Sequence, residues 1–157
     1  MPVLRRRSLN ALSVINANVE RARNRAIKAI NTNVLLRLFV NDDKAQAAKA
    51  RALFEAHAEE DDSLWIADVV LAELVWALTR SYDRPRADIV TVLRALVSNA
   101  TVKLESAASL VEATTLYEQG PADFVDCLLA VKAKAQRCTA LHSLDKKLKG
   151  LPGVVLL

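Results

Sequence analysis

The stretch "KAINTNVLLRLFVNDD", Lys28 to Asp43, decides how this chain is read. A short, largely apolar run over 27–30 ends in the polar triplet Asn31-Thr32-Asn33. It then passes directly into Leu35, Leu36, Leu38 and Phe39. That pattern predicts a strand over 27–30 and a helix from Asn33. In open α/β folds the mouth between a strand's carboxyl end and the next helix is where functional groups collect. Asn and Thr alone supply little chemistry, so residue 31 raises a question about its neighbours in space.

Working outward, the alternation repeats. Ala45, Ala48, Ala52, Leu53 and Ala56 mark a helix over 43–58, with Asp42-Asp43 at its start. A strand is expected over 63–66, with Asp68 as the N-cap of a helix over 69–79. Pro85 opens a helix whose Ile89, Val90, Leu93, Leu96 and Val97 share one face. A strand follows over 102–104. Ser109 and Glu112 have capping-box spacing for the next helix. Gly120-Pro121 stops that helix and starts another, ending near Gln136. Strands over 138–141 and 154–157 close the chain. The order β-α-α-β-α-α-β-α-α-β-(turn)-β predicts a three-layer α/β/α domain with a central, mainly parallel sheet.

At 157 residues the chain suits one domain, 52% apolar and 25% charged, and so globular. Its formal charge of +4 is uneven. Residues 1–25 hold six arginines against Glu20, and the remainder carries one more acid than base. The basicity therefore belongs to a leader over 1–25, helical or disordered, and the domain to 26–157. That leader reads as a solvated or expression-derived segment, or as an arm touching RNA phosphates or an acidic partner. Residues 9–19 are too polar for a signal peptide, and no run is long enough to span a bilayer. A reducing cytoplasm is expected, with Cys127 and Cys138 both buried as small hydrophobes.

Four acids resist a bland explanation. Glu73 lies inside "VVLAELVWAL", where burying an unpaired carboxylate would be expensive. It either points into a cleft with a partner or forms the helix's exposed stripe. Asp123 and Asp126, in "ADFVDCLLA", lie three apart on one helix face. Asp123 suits the first turn, whereas Asp126, a turn deeper, makes more sense beside a cation. Asp145 follows "CTALHSL", either capping the next turn or acting as a ligand, with Ser143 in reach to support it. Clustered carboxylates without His or Cys select a hard cation such as Mg²⁺ or Mn²⁺. His57 and His142 lack zinc-ligand spacing, and no phosphate-binding glycine loop or nucleophile elbow is present.

In order and spacing these segments resemble the PIN-domain nucleases, and specifically the VapC-type ribonuclease toxins of bacterial toxin–antitoxin pairs, from about Ile27 to Leu157. "NTNVLLRLFVNDD" looks like the family's opening strand and turn, and Glu73 like its helical Glu. Asp126 matches its principal third-motif Asp, Asp123 an accessory acid, and "TALHSLDKKLKGLPGV" its closing segment with Asp145 as the fourth acid. The resemblance implies metal-dependent hydrolysis of RNA at residues 31, 73, 123, 126 and 145, supported by Thr32, Asn33 and Ser143. It also implies a cognate antitoxin and a homodimer. Arg37, Lys146 and Lys147 are candidates for positioning the RNA backbone, or an ordinary solvated face. Partner helices would find apolar surface near Leu53-Phe54 or Trp65 and Trp76, although both tryptophans read more readily as core.

One departure matters. The family opens with Asp-Thr-Asn, and this chain reads Asn31-Thr32-Asn33. An amide offers a cation only a neutral carbonyl oxygen, so weak metal binding and slow or absent cleavage are expected. Two alternatives stand beside this reading. One is a catalytically inactive PIN-like module that binds RNA or an antitoxin, and the other a metal-dependent DNA nuclease.

Overall fold

The computed structural model describes residues 11–20 and 26–157. All six arginines of the basic leader lie outside the described residues. Its described part, helix α1 over 11–20, is exposed along its whole length. The domain then runs β1 (Lys28–Ala29), α2 (Thr32–Phe39), α3 (Lys44–Ala56), β2 (Leu64–Ile66), α4 (Asp68–Arg80), α5 (Arg86–Ser98) and β3 (Val102–Leu104). It continues through α6 (Ala107–Gln119), α7 (Phe124–Ala135), β4 (Leu141–Ser143), a 3₁₀ turn (Lys146–Leu148) and β5 (Val154–Leu156). The element order is the one the sequence predicts.

All strand pairing is parallel. β1, β2 and β3 form one sheet in that spatial order, with Leu64 opposite both Lys28 and Val102, and β4 pairs with β5. Parallel strands need crossovers, and each crossover within the first sheet is a pair of helices. Helices thus flank a central parallel sheet in the three-layer α/β/α arrangement. β2 is the middle strand, and Leu64 and Ile66 are fully buried. Leu71, Leu74 and Leu78 of α4 join the same core as Ile89 and Leu93 of α5 and Leu110 of α6. Phe124 anchors α7, its ring meeting Tyr117 edge-on at 5.9 Å.

Because the strands run parallel, the residues that follow β1, β2 and β3 emerge at one edge: Asn31, Asp68 and Glu105. There a polar strap ties the elements together. Lys132 of α7 donates to the Asp68 carboxylate and, at 3.2 Å, to Ser106 Oγ. Glu105 Oε2 accepts the Asp68 backbone N–H at 2.7 Å.

Several local expectations are corrected. Asp68 is the first residue of α4, not its N-cap. Ala67 occupies that position, and Lys132 draws the Asp68 side chain away from the helix end. α6 begins at Ala107, two residues before Ser109, so no capping box forms, and Glu112 turns outward to Lys134. The strand expected over 138–141 starts only at Leu141, because Arg137 ends the preceding turn at φ 59°. Cys127 is buried, but Cys138 lies in that exposed connection. Trp76 is not core: it is 62% exposed on the outer face of α4.

Candidate functional site

Asn31 sits where β1 ends, with extended backbone, as the N-cap of α2. Its Oδ1 accepts from Asn33 N at 2.9 Å and Val34 N at 3.4 Å. Two backbone donors fix which end of the amide is oxygen. A carbonyl oxygen has two lone pairs, and both are used. Towards anything else Asn31 therefore presents Nδ2, a donor that a cation would not choose. The neutral oxygen that the sequence left available to a metal is taken by the helix. Thr32, buried beside it, donates its hydroxyl to Glu73 Oε2 and ties the α2 N-terminus to the middle of α4. Glu73 itself is exposed in the outer stripe of α4, where the Thr32 hydroxyl is its partner.

A second group forms around the start of α7. The helix begins at Phe124, so Asp123 is at the N-cap and Asp126 in the first turn, one position earlier in the helix than the sequence suggested. The Asp123 side chain makes no capping hydrogen bond. Asp126 is half-buried, and its carboxyl is pushed above the usual range, first by burial and then by the charges of Asp123 and Asp145, with Lys147 opposing. Asp145 reaches this group from the end of β4. Its Oδ1 accepts Lys147 N at 2.8 Å, and its own N–H donates to Ser143 Oγ at 3.0 Å. Lys147 thus faces the acids, and exposed Lys146 precedes it in the same turn. Arg37 is engaged elsewhere, donating to Gln46 at 2.8 Å and pairing with Asp42.

The acids thus come together as two sets: Glu73 with Thr32 and Asn31, and Asp126 with Asp123 and Asp145. Among the described residues no three His, Cys, Asp or Glu side chains approach closely enough to enclose a metal ion. The donor chemistry nonetheless fits a hard divalent cation. The groups are oxygen-only, and Asp126, raised mainly by burial, also feels the charges of Asp123 and Asp145. Residue 31 is the exception, for the reason just given.

Beside Asp126 a cleft of about 280 Å³ opens between α4 and α7. Asp123 and Asp126 form one wall, with Trp76, Arg80 and Arg84 opposite. Arg86 also lines it, its guanidinium 4.0 Å over the Tyr117 ring and donating to the carbonyls of Tyr117 and Ala122. The sequence did not single out these basic residues. The available signal was spacing: Glu73, Trp76 and Arg80 fall three and four apart and share one helical face.

With this geometry in place, comparison with known proteins identifies the class. Residues 28–154 match the PIN domain family, and the chain belongs to that family. It is 28% identical over 125 residues to the VapC ribonuclease of Aquifex aeolicus (strain VF5), an alignment covering 80% of this chain and 92% of that protein. Among solved structures it is similar to a toxin–antitoxin complex from Klebsiella pneumoniae, at 18% identity and a TM-score of 0.30, over 82% of this chain and 95% of that one.

Proposed function

We propose that this chain is a divalent-metal-dependent endoribonuclease toxin of a toxin–antitoxin pair, weakened or silenced by Asn at position 31. The observation that carries the reading is the match of residues 28–154 to the PIN domain, in a chain where the charges of Asp123 and Asp145 both act on Asp126. Similarity to a VapC ribonuclease supports RNA as substrate and an antitoxin as protein partner, and a homodimer is proposed as the working form on the family resemblance alone. No described helix is long and apolar enough to cross a membrane, and a reducing cytoplasm suits two free thiols.

Glu73, Asp126 and Asp145 would hold Mg²⁺ or Mn²⁺, with Asp123 beside them. The bound ion would lower the pKa of its water and offset charge developing on the phosphate. The chain's own side chains do the remaining work. Thr32 orients Glu73, and Ser143 with the Lys147 amide orients Asp145. Lys146 and Lys147 meet the phosphodiester at the rim, with Arg37 further out on α2. Asn33 completes the turn that sets residue 31.

Asn31→Asp keeps the helix cap, because one carboxylate oxygen replaces Oδ1, and turns the other oxygen outward in place of the amide nitrogen. The decisive experiment compares both chains on RNA and on DNA of the same sequence, with Mg²⁺, Mn²⁺ or a chelator. Metal-dependent RNA cleavage gained by Asn31→Asp is the expected result. No gain on either substrate removes the active-site assignment, and preference for DNA corrects the substrate. The saturated Oδ1 favours one second reading, an inactive module that binds RNA or an antitoxin. It predicts chelator-insensitive RNA or antitoxin binding and no cleavage by Asn31→Asp.

A further inference from the structure

We propose that the cleft between α4 and α7 seats the nucleotide next to the scissile phosphate, with Trp76 stacking on its base and Arg80 and Arg84 holding its phosphate. This rests on the ribonuclease reading and assigns the positioning residues for the same site. Three features of the molecule lead to it.

The first is the outer face of α4. Val69, Glu73, Trp76 and Arg80 follow one another at spacings of four, three and four, and all four are exposed. A single helical stripe therefore runs from the carboxylate of the acidic site, through an indole, to a guanidinium. Successive positions along it lie one turn apart, roughly 5–6 Å. That step is comparable with the spacing of neighbouring groups along a single-stranded nucleic acid.

The second is how the arginines are used. Arg37 is paired with Asp42, Arg94 with Glu118, and Arg86 is spent on two main-chain carbonyls and the Tyr117 ring. The side chains of Arg80 and Arg84 line the cleft and have no hydrogen bond or ion pair among the described residues. Asp123 and Asp126 stand across the same cleft without drawing either arginine into an ion pair. Two unpaired guanidinium groups facing a small, partly apolar hollow suit an anion with a flat group attached.

The third is charge order. The acids repel phosphate, and a cation would have to sit with them before a phosphate could approach. Arg80 and Arg84 attract phosphate directly. A phosphodiester chain crossing the acidic site thus finds its electrostatic anchor one nucleotide away, with Trp76 between the two. Base stacking on an exposed aromatic is tolerant of sequence, and phosphate contacts set register.

The test uses the full chain with fluorescein-labelled oligo-uridine and oligo-adenosine, read by anisotropy over a salt series in Mg²⁺, with the RNA checked intact afterwards on a denaturing gel. Trp76→Ala is expected to weaken binding by about 5- to 150-fold, the range for removing a stacking aromatic. Trp76→Phe should retain most of it. Arg80→Gln and Arg84→Gln should each flatten the dependence of log K on log salt by about one unit. All three positions are exposed, and melting curves should show the variants folded. If the parent binds RNA and the variants bind equally well, the proposal falls while the ribonuclease reading stands. If the parent binds no RNA and Asn31→Asp gains no cleavage, the ribonuclease reading falls first and the cleft assignment with it. Light scattering covers the remaining occupant, a second copy of the chain. Loss of binding by Trp76→Ala that tracks dissociation of a dimer would overturn the proposal and make the cleft an interface.

Discussion

Replacing Lys132 by Met probes the polar strap that holds α7 against α4, and with it the relative placement of Asp126 and Glu73. Lys132 Nζ pairs with the Asp68 carboxylate, and Asp68 Oδ1 is a buried acceptor with no partner among the described residues. The Asp68 side chain is only 12% exposed, whereas that of Lys132 is 39% exposed. Removing the cation would leave a poorly solvated carboxylate with neither oxygen hydrogen-bonded among the described residues. Breaking a fully buried pair typically costs about 3–5 kcal/mol. Water reaches the lysine side of this one, so an expected loss of about 2 kcal/mol is reasonable. For a domain of this size each kcal/mol moves the melting temperature by about 2–4 °C, giving a fall of about 4–8 °C for Lys132→Met. Asp68→Asn should cost about 1 kcal/mol, since the amide keeps its shape without the charge. The double variant should lose less than the sum of the singles, because Lys132→Met no longer strands a charge when residue 68 is neutral. Thermal melts of the four chains, followed by circular dichroism, read the cycle directly. Lys132→Met melting within about 1 °C of the parent, or strictly additive losses, would refute this account of the strap.

Further outcomes follow from other contacts. Asn31→Ala removes a two-donor cap and should lower stability by about 1 kcal/mol, whereas Asn31→Asp should melt close to the parent in chelator and gain melting temperature when Mg²⁺ is added. Burial pushes the Cys127 thiol up to about 11, so a disulfide reagent at pH 8 should titrate Cys138 alone in the native chain and both thiols after unfolding. Tyr82 and Arg37 hold the Asp42 carboxyl below its usual range. Its stabilising effect is present above the unfolded value and is lost as pH falls through the lowered folded value. Asp42→Asn should therefore narrow the difference between melts at pH 6 and pH 3.

Much of the fold was legible because its signals are local. Helical spacing in Ile89–Val90–Leu93–Leu96–Val97, the break at Gly120-Pro121 and the alternation of strands with helix pairs need no knowledge of distant residues. Boundaries were less secure wherever a distant group competes for a cap. Asp68 has the side chain of an N-cap, but Lys132, 64 positions away, claims it. Ser109 and Glu112 have capping-box spacing, yet the helix starts earlier and Glu112 is drawn to Lys134. Trp76 misleads for a related reason. Its immediate sequence neighbours, Leu74, Val75, Ala77 and Leu78, are apolar, and the polar stripe of Glu73 and Arg80 on its own face shows only at helical spacing.

The candidate site divides along the same line. The sequence by itself determined the inventory: Asn31, Glu73, Asp123, Asp126 and Asp145, with an amide where the family resemblance leads one to expect an acid. Those are matters of residue type and spacing. Tertiary structure decided what each group is free to do, because that depends on which donors and charges arrive from elsewhere. Backbone amides of α2 consume the Asn31 oxygen, Thr32 claims one oxygen of Glu73, and Asp123 and Asp145 crowd Asp126. The engagement of Arg37, Arg86 and Arg94, and the absence of any partner for Arg80 and Arg84 among the described residues, were likewise settled only when the helices packed.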